Sequence, residues 1–233
     1  MAGALTAGAV FYRCSYLVGS LGVTALSMVL YALVWRAVAA GRRTEEALRA
    51  PFFQLVESIA FCDLLEFLRI SLLGKFRRLG WALDLYARLE PWDTKIASML
   101  GFHLGLCQFL GQLFVAANRF TAVVFPMKHS NLWTKRVTRR CLLAQWLLPL
   151  FYYPILLTVD RRFVLVATTT NSSRSCHYYD DVDRGHHTRL AYAVSAAILA
   201  PITLLVFSMY AIGATVVLLR QKKRKAAPAN RSG

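Results

Sequence analysis

Asn118 and Arg119 stand side by side near the end of a long apolar run. A guanidinium there is costly unless it reaches the headgroups or meets another helix. Pro126 follows seven residues after the arginine, disfavours helix at the residue before it, and opens a basic stretch. A cation at such a boundary either anchors the helix end by snorkelling or meets a partner on another helix. Asp63 lies near the middle of another apolar run, too deep to reach water, with Gln108 or Gln112 as hydrogen-bond partners. Such a carboxylate is either a functional polar node or a pairing group that only sets helix orientation.

Glu66 and Arg69 are three residues apart, so they share a helix face and can neutralise each other. Gly101 and Gly105, with His103 between them, form a small-residue pattern on the outer half of their helix. It either lets a neighbouring helix approach closely or leaves volume for a ligand, and His103 reads as a hydrogen-bonded interhelical residue or a ligand contact. Asp180, Asp181, Asp183, His186 and His187 resemble a metal site by composition alone; without fixed ligand spacing a solvated loop explains them better. No metal and no cofactor is expected. The chain has no His-x-x-x-His, Gly-x-Ser-x-Gly or suitably spaced catalytic carboxylates, so no enzymatic activity is expected.

The elements that must hold these groups are apolar and long. Of 233 residues, 57% are hydrophobic, more than a soluble domain of this size can cover with polar surface. Stretches of about 20 residues nearly free of charge match a crossing of a ~30 Å hydrocarbon core. Five spans are read at 16–38, 52–73, 96–125, 141–159 and 190–220, followed by a basic tail over 221–233. The second is the least clean, since it carries Glu57, Asp63, Glu66 and Arg69. The fourth and fifth contain Pro149, Pro154 and Pro201, which membrane helices tolerate when neighbouring groups satisfy the freed carbonyls. The net charge of +16 would suggest nucleic acid in a soluble chain, but clustered in loops it fits cytoplasmic basic segments instead.

With the N-terminus outside and the C-terminus in the cytoplasm, inner segments carry fifteen Lys and Arg and outer ones eleven. This orientation puts the sequon at Asn171 outside, where it can be glycosylated. Five Cys without a Cys-x-x-Cys pair support neither a metal site nor a disulfide scaffold; only Cys14 and Cys176 lie where an oxidising compartment reaches them. The first apolar run is too long for a signal peptide and reads as an anchor.

The string NRFTAVVFPMKH, residues 118–129, resembles the inner end of the third helix of rhodopsin-like receptors. There an acid–Arg–aromatic triplet is followed by Pro; here Asn118 replaces the acid and Phe120 is the aromatic. It is more closely similar to a nematode chemoreceptor family, serpentine receptor class gamma. Asn118, Arg119, Phe120, Thr121, Phe125, Pro126 and Trp133 fit that family's pattern, with His129 where Tyr is usual.

The resemblance implies an all-α integral membrane bundle of the rhodopsin-like serpentine type, with five of seven transmembrane helices present. The ending at RQKKRK looks like a cut in the third cytoplasmic loop, so the chain alone is not expected to signal. By resemblance, Arg119 holds the inactive bundle closed and meets a heterotrimeric G protein when the helices part; Asn118 makes that lock weaker than an acid would. The resemblance also implies Asp63 as the buried node, a small-molecule ligand and a plasma-membrane location. The family disulfide at the outer end of the third helix has no Cys near Thr94 or Lys95, leaving Cys14 as the other external candidate for Cys176. The leading reading is a G-protein-coupled chemosensory receptor in a shortened form. The alternative is a small transporter or channel subunit, motivated by the charges of the second span.

Overall fold

A computed structural model describes residues 7–44, 50–76, 83–89, 92–157, 161–167, 174–181 and 186–226. Helix α1 is Ala7–Thr44, an apolar run with no acid in its first turn. Helix α2, Pro51–Arg69, starts with proline in its first turn, where the missing N–H costs nothing, and widens into a π-turn over Ile70–Lys75. A short α3, Leu83–Leu89, leads to α4, Trp92–Val124, whose Asp93 suits the positive end of a helix.

Helix α4 breaks at Phe125, with φ −123° and ψ 58°, because a residue before proline is pushed out of the α region. Pro126 then opens a second helix, α5, Pro126–Leu132. Thr134 caps α6, Lys135–Leu147, by accepting from the Val137 amide at 3.3 Å. Pro149 then lies in a 3₁₀ turn, Leu148–Tyr152, and α7, Tyr153–Leu157, completes the same passage. The last helix, α8, is His186–Ala226, with Pro201 inside it.

The polar stretch before α8 is not featureless. Strands β1, Arg161–Ala167, and β2, Arg174–Asp181, form an antiparallel hairpin with Arg161 opposite Asp181, Leu165 opposite Cys176, and an irregularity between Phe163 and Leu165. Asn171 and Asp183 lie outside the described residues, as do the side chains of Cys14, Cys176, Asp180, Asp181, His186 and His187. Among the described residues no group of His, Cys, Asp and Glu could hold a metal ion.

Helix α4 runs through the middle, packed on α2, α6 and α8, while α1 packs against α2. Among the described residues, four passages are long and apolar enough to cross a membrane: Val18–Gly41, Trp92–Val124, Lys135–Leu157 and Ala193–Lys222. Helix α2 does not meet that measure, for it carries Glu57, Asp63, Glu66 and Arg69, yet it packs between α1 and α4. Leu106, Tyr152 and Leu156 form a buried cluster, with Phe102, Val194 and Leu199 against it. The Tyr152 and Ser195 hydroxyls hydrogen-bond at 3.0 Å. Large side chains such as Val18, Leu204 and Phe207 lie exposed on α1 and α8. Water would penalise such faces and lipid tails would not. The architecture is an all-α membrane bundle with one described hairpin in a connecting loop.

Candidate functional site

Asp63 sits on the face of α2 that meets α4, and Gln108 donates to its Oδ1 at 2.6 Å. Nearby, Tyr31 of α1 packs edge-on against Phe67 of α2, at 5.7 Å between ring centroids. Gln112, one turn beyond Gln108, is exposed and takes no part.

Beside this node lies a second one that sequence reasoning missed. Gln145 of α6 is fully buried. Its Oε1 accepts from Ser58 at 3.0 Å, and its Nε2 donates to the Cys107 carbonyl at 3.1 Å. Trp146 donates to the Ser58 hydroxyl at 3.1 Å, so α2, α4 and α6 are joined by polar contacts within the apolar core. Gly111 makes room for it: a Cβ there would stand 2.5 Å from Ile59 Cγ1 and 2.7 Å from Gln145 Nε2. The available signal was an amide inside an apolar span, which needs a partner on another helix.

At the C-terminal end of α4 the adjacent Asn118 and Arg119 part company. Asn118 is buried, and its Nδ2 has no hydrogen-bond partner. Arg119 is exposed, with its guanidinium carbon 4.7 Å from the centroid of the Phe52 ring at the start of α2. Neighbours on a helix are rotated by about 100°, so one can face the bundle while the next faces out. The structure shows no Asn118–Arg119 lock; the arginine's contact is a cation–π one. Phe120 stacks edge-on against Phe125, at 6.3 Å between centroids.

The connection after α4 is held by Thr121. Its hydroxyl accepts from Trp133 Nε1 at 2.8 Å, lies 3.1 Å from His129 Nδ1 and reaches the Ala117 carbonyl at 2.9 Å. Thr121, His129 and Trp133 thus fold α5 back onto the end of α4. Met127, in the first turn of α5, is 89% exposed.

Near the N-terminal end of α4, Arg69 makes a two-bond pair with Glu66, at 2.7 and 2.6 Å, and reaches the Ala97 carbonyl at 3.3 Å. Gly101 lies directly beneath that guanidinium: its Cβ would stand 3.1 Å from Arg69 Cζ. A side chain at Gly101 would crowd the ion pair. Gly105 has nothing within 4 Å of a Cβ, so space is open there. His103 lies against Tyr153 and Trp146, at 5.7 and 6.3 Å between ring centroids. Its Nδ1 is buried without a hydrogen-bond partner, unlike the interhelical bond expected of it. An apolar groove of about 320 Å³ opens between α4, the 3₁₀ turn with α7, and α8, with Leu110, Ile155 and Ile198 on its walls.

The charges that motivated a transporter reading are accounted for by pairing within the bundle, at Glu66–Arg69 and around Asp63. A family model described as "Serpentine type 7TM GPCR chemoreceptor Srv" matches residues 21–231. The chain is also 36% identical over 124 residues to "Serpentine receptor class V-1" of Caenorhabditis elegans, a match spanning 52% of this chain and 39% of that protein. The chain thus spans well under two thirds of that relative's length. These matches correct the class gamma assignment: the nematode serpentine character holds, but the class is V. With its apolar helices, the chain is a multi-pass membrane protein of the Srv family of serpentine, seven-transmembrane-type chemoreceptors.

Proposed function

We propose that the chain is a G-protein-coupled chemosensory receptor polypeptide rather than an enzyme, and that it crosses the plasma membrane five times. Its N-terminus is outside, its C-terminus is cytoplasmic, and a small molecule is its ligand. The fifth crossing in this reading is α2, whose charges are paired or lie against other helices. Asp63 with Gln108 is the buried polar node, and Gly105 and His103, rather than Gly101, border the space for a ligand.

The observation that carries the reading is the inner end of α4. Arg119 stays exposed there, weakly held by an aromatic ring, and Met127 presents an apolar side chain beside a basic loop. An exposed guanidinium at the helix end and an exposed apolar side chain on the segment that follows suit the docking of another protein. Asn118 supplies no charge to restrain the arginine, so Phe52 takes the place of the acid as its resting contact.

A photo-cross-linking residue at position 127, in membranes containing a heterotrimeric G protein, tests this. Adducts to the Gα subunit are expected, reduced by Arg119→Glu and absent when the cross-linker is moved to Leu85. Equal adducts from positions 127 and 85 would overturn the reading.

A further inference from the structure

Helix α6 begins with Lys135, Arg136, Arg139 and Arg140, all exposed. Residues four apart stack one above the other on a helix, so these make two adjacent columns, Lys135 over Arg139 and Arg136 over Arg140. The opposite side of α6 is fixed by Thr138 and Gln145, both fully buried. The four cations therefore share the outward side. No acidic residue lies in the first turn, and among the described residues none of the four has an ion-pair partner. Like charges stacked at i,i+4 repel, so the helix carries an uncompensated charge that suits a multivalent anion.

The same side changes character one turn on. Leu143 and Leu147 are exposed there, and Leu150 and Phe151 are exposed on the 3₁₀ turn that follows. The outward face of α6 thus reads as cations at one end and hydrocarbon beyond, the profile of a phospholipid standing alongside it. Three of the cations are arginines, whose guanidinium fork matches phosphate oxygens in pairs. One phosphate would leave most of this charge unmatched; a headgroup with several phosphates would not.

We propose that this face of α6 is a binding site for a polyphosphorylated inositol lipid, its headgroup between the Lys135–Arg140 cations and an acyl chain along Leu143 and Leu147. The site rests on the chain spanning a membrane, but not on the coupling role of Arg119. The 233-residue chain is placed in nanodiscs of phosphatidylcholine containing either phosphatidylinositol bisphosphate or phosphatidylserine, at matched total charge. Both leaflets carry the lipid, so the result does not depend on orientation. Lipid retained on the protein is read by native mass spectrometry after release.

Preferential retention of the bisphosphate lipid is expected. The Arg139→Gln/Arg140→Gln pair should weaken it by about tenfold or more, as loss of two basic residues at an anionic surface implies. The Arg139→Lys/Arg140→Lys pair should keep most of it and shows that the fold tolerates change there. Arg220→Gln/Lys222→Gln, which removes exposed cations from α8, should leave retention unchanged. Equal retention of both lipids, or equal losses from the α6 and α8 variants, would show a diffuse surface charge and overturn the site. Displacement by soluble inositol trisphosphate at the lipid's own concentration would overturn the acyl contribution, and with it the lipid assignment.

Discussion

The guanidinium of Arg119 lies over the ring of Phe52, joining the C-terminal end of α4 to the first turn of α2. An exposed cation–π contact of this kind is worth about 0.5–1 kcal/mol. Phe52→Leu should therefore lower the unfolding midpoint slightly, and Arg119→Ala made in that background should add almost nothing. A double-mutant cycle on the reconstituted chain measures this. Fully additive losses would mean that the two side chains do not interact.

Gly111 and Gly105 lie on the same helix and should respond in opposite ways to a methyl group. Gly111→Ala drives a Cβ into Ile59 and Gln145 and should cost about 1–3 kcal/mol, the usual range for overpacking. Gly105→Ala meets open space and should be close to neutral in stability. Thermal denaturation of both variants in the same detergent decides it.

Thr121 tests the connection between α4 and α6. Thr121→Val keeps the shape but removes the acceptor for Trp133 and the contact with His129. Cleavage by trypsin after Lys128 should then quicken in inside-out vesicles, and Trp133→Phe should behave alike. Thr121→Ser, which retains the hydroxyl, should protect as well as the native residue.

The proposed topology has its own readout. Glycosidase treatment of membrane-expressed protein should increase its gel mobility, and Asn171→Gln should abolish the shift. A tag after Arg231 should be inaccessible from outside intact cells; labelling of that tag on unpermeabilised cells would reverse the orientation.

Some of this geometry was legible from residues alone. An aspartate in the middle of an apolar run demands a partner, and Gln108 is that partner because it projects from α4 at the same depth. Glu66 and Arg69 share a face by their spacing, and they pair. Sequence does not show which of two nearby glutamines points inward, so Gln112 stood beside Gln108 as an equal choice. Nor does it show the partner of a lone amide, so the node of Gln145, Ser58 and Cys107 emerged only when three helices were brought together. Asn118 and Arg119 are adjacent in sequence, yet the helical rotation between neighbours separates them. The hairpin over Arg161–Asp181 was hidden by its charge, which made the stretch read as plain solvated loop. The motif around Arg119 led to the right kind of receptor and the wrong class, because a short string that keeps an inner helix end together does not separate sister families.

The break at Phe125 is a single residue, and the segment beyond it is tied back through Thr121 to the helix it has just left. The stretch from Thr121 to Thr134 therefore works as a stiff bracket joining two long struts. Force applied to the exposed Met127 is carried into α4 through the Trp133–Thr121 bond and into α6 through its Thr134 cap. The loop is a lever with its fulcrum at one hydroxyl, so whatever grips it takes hold of both helices together.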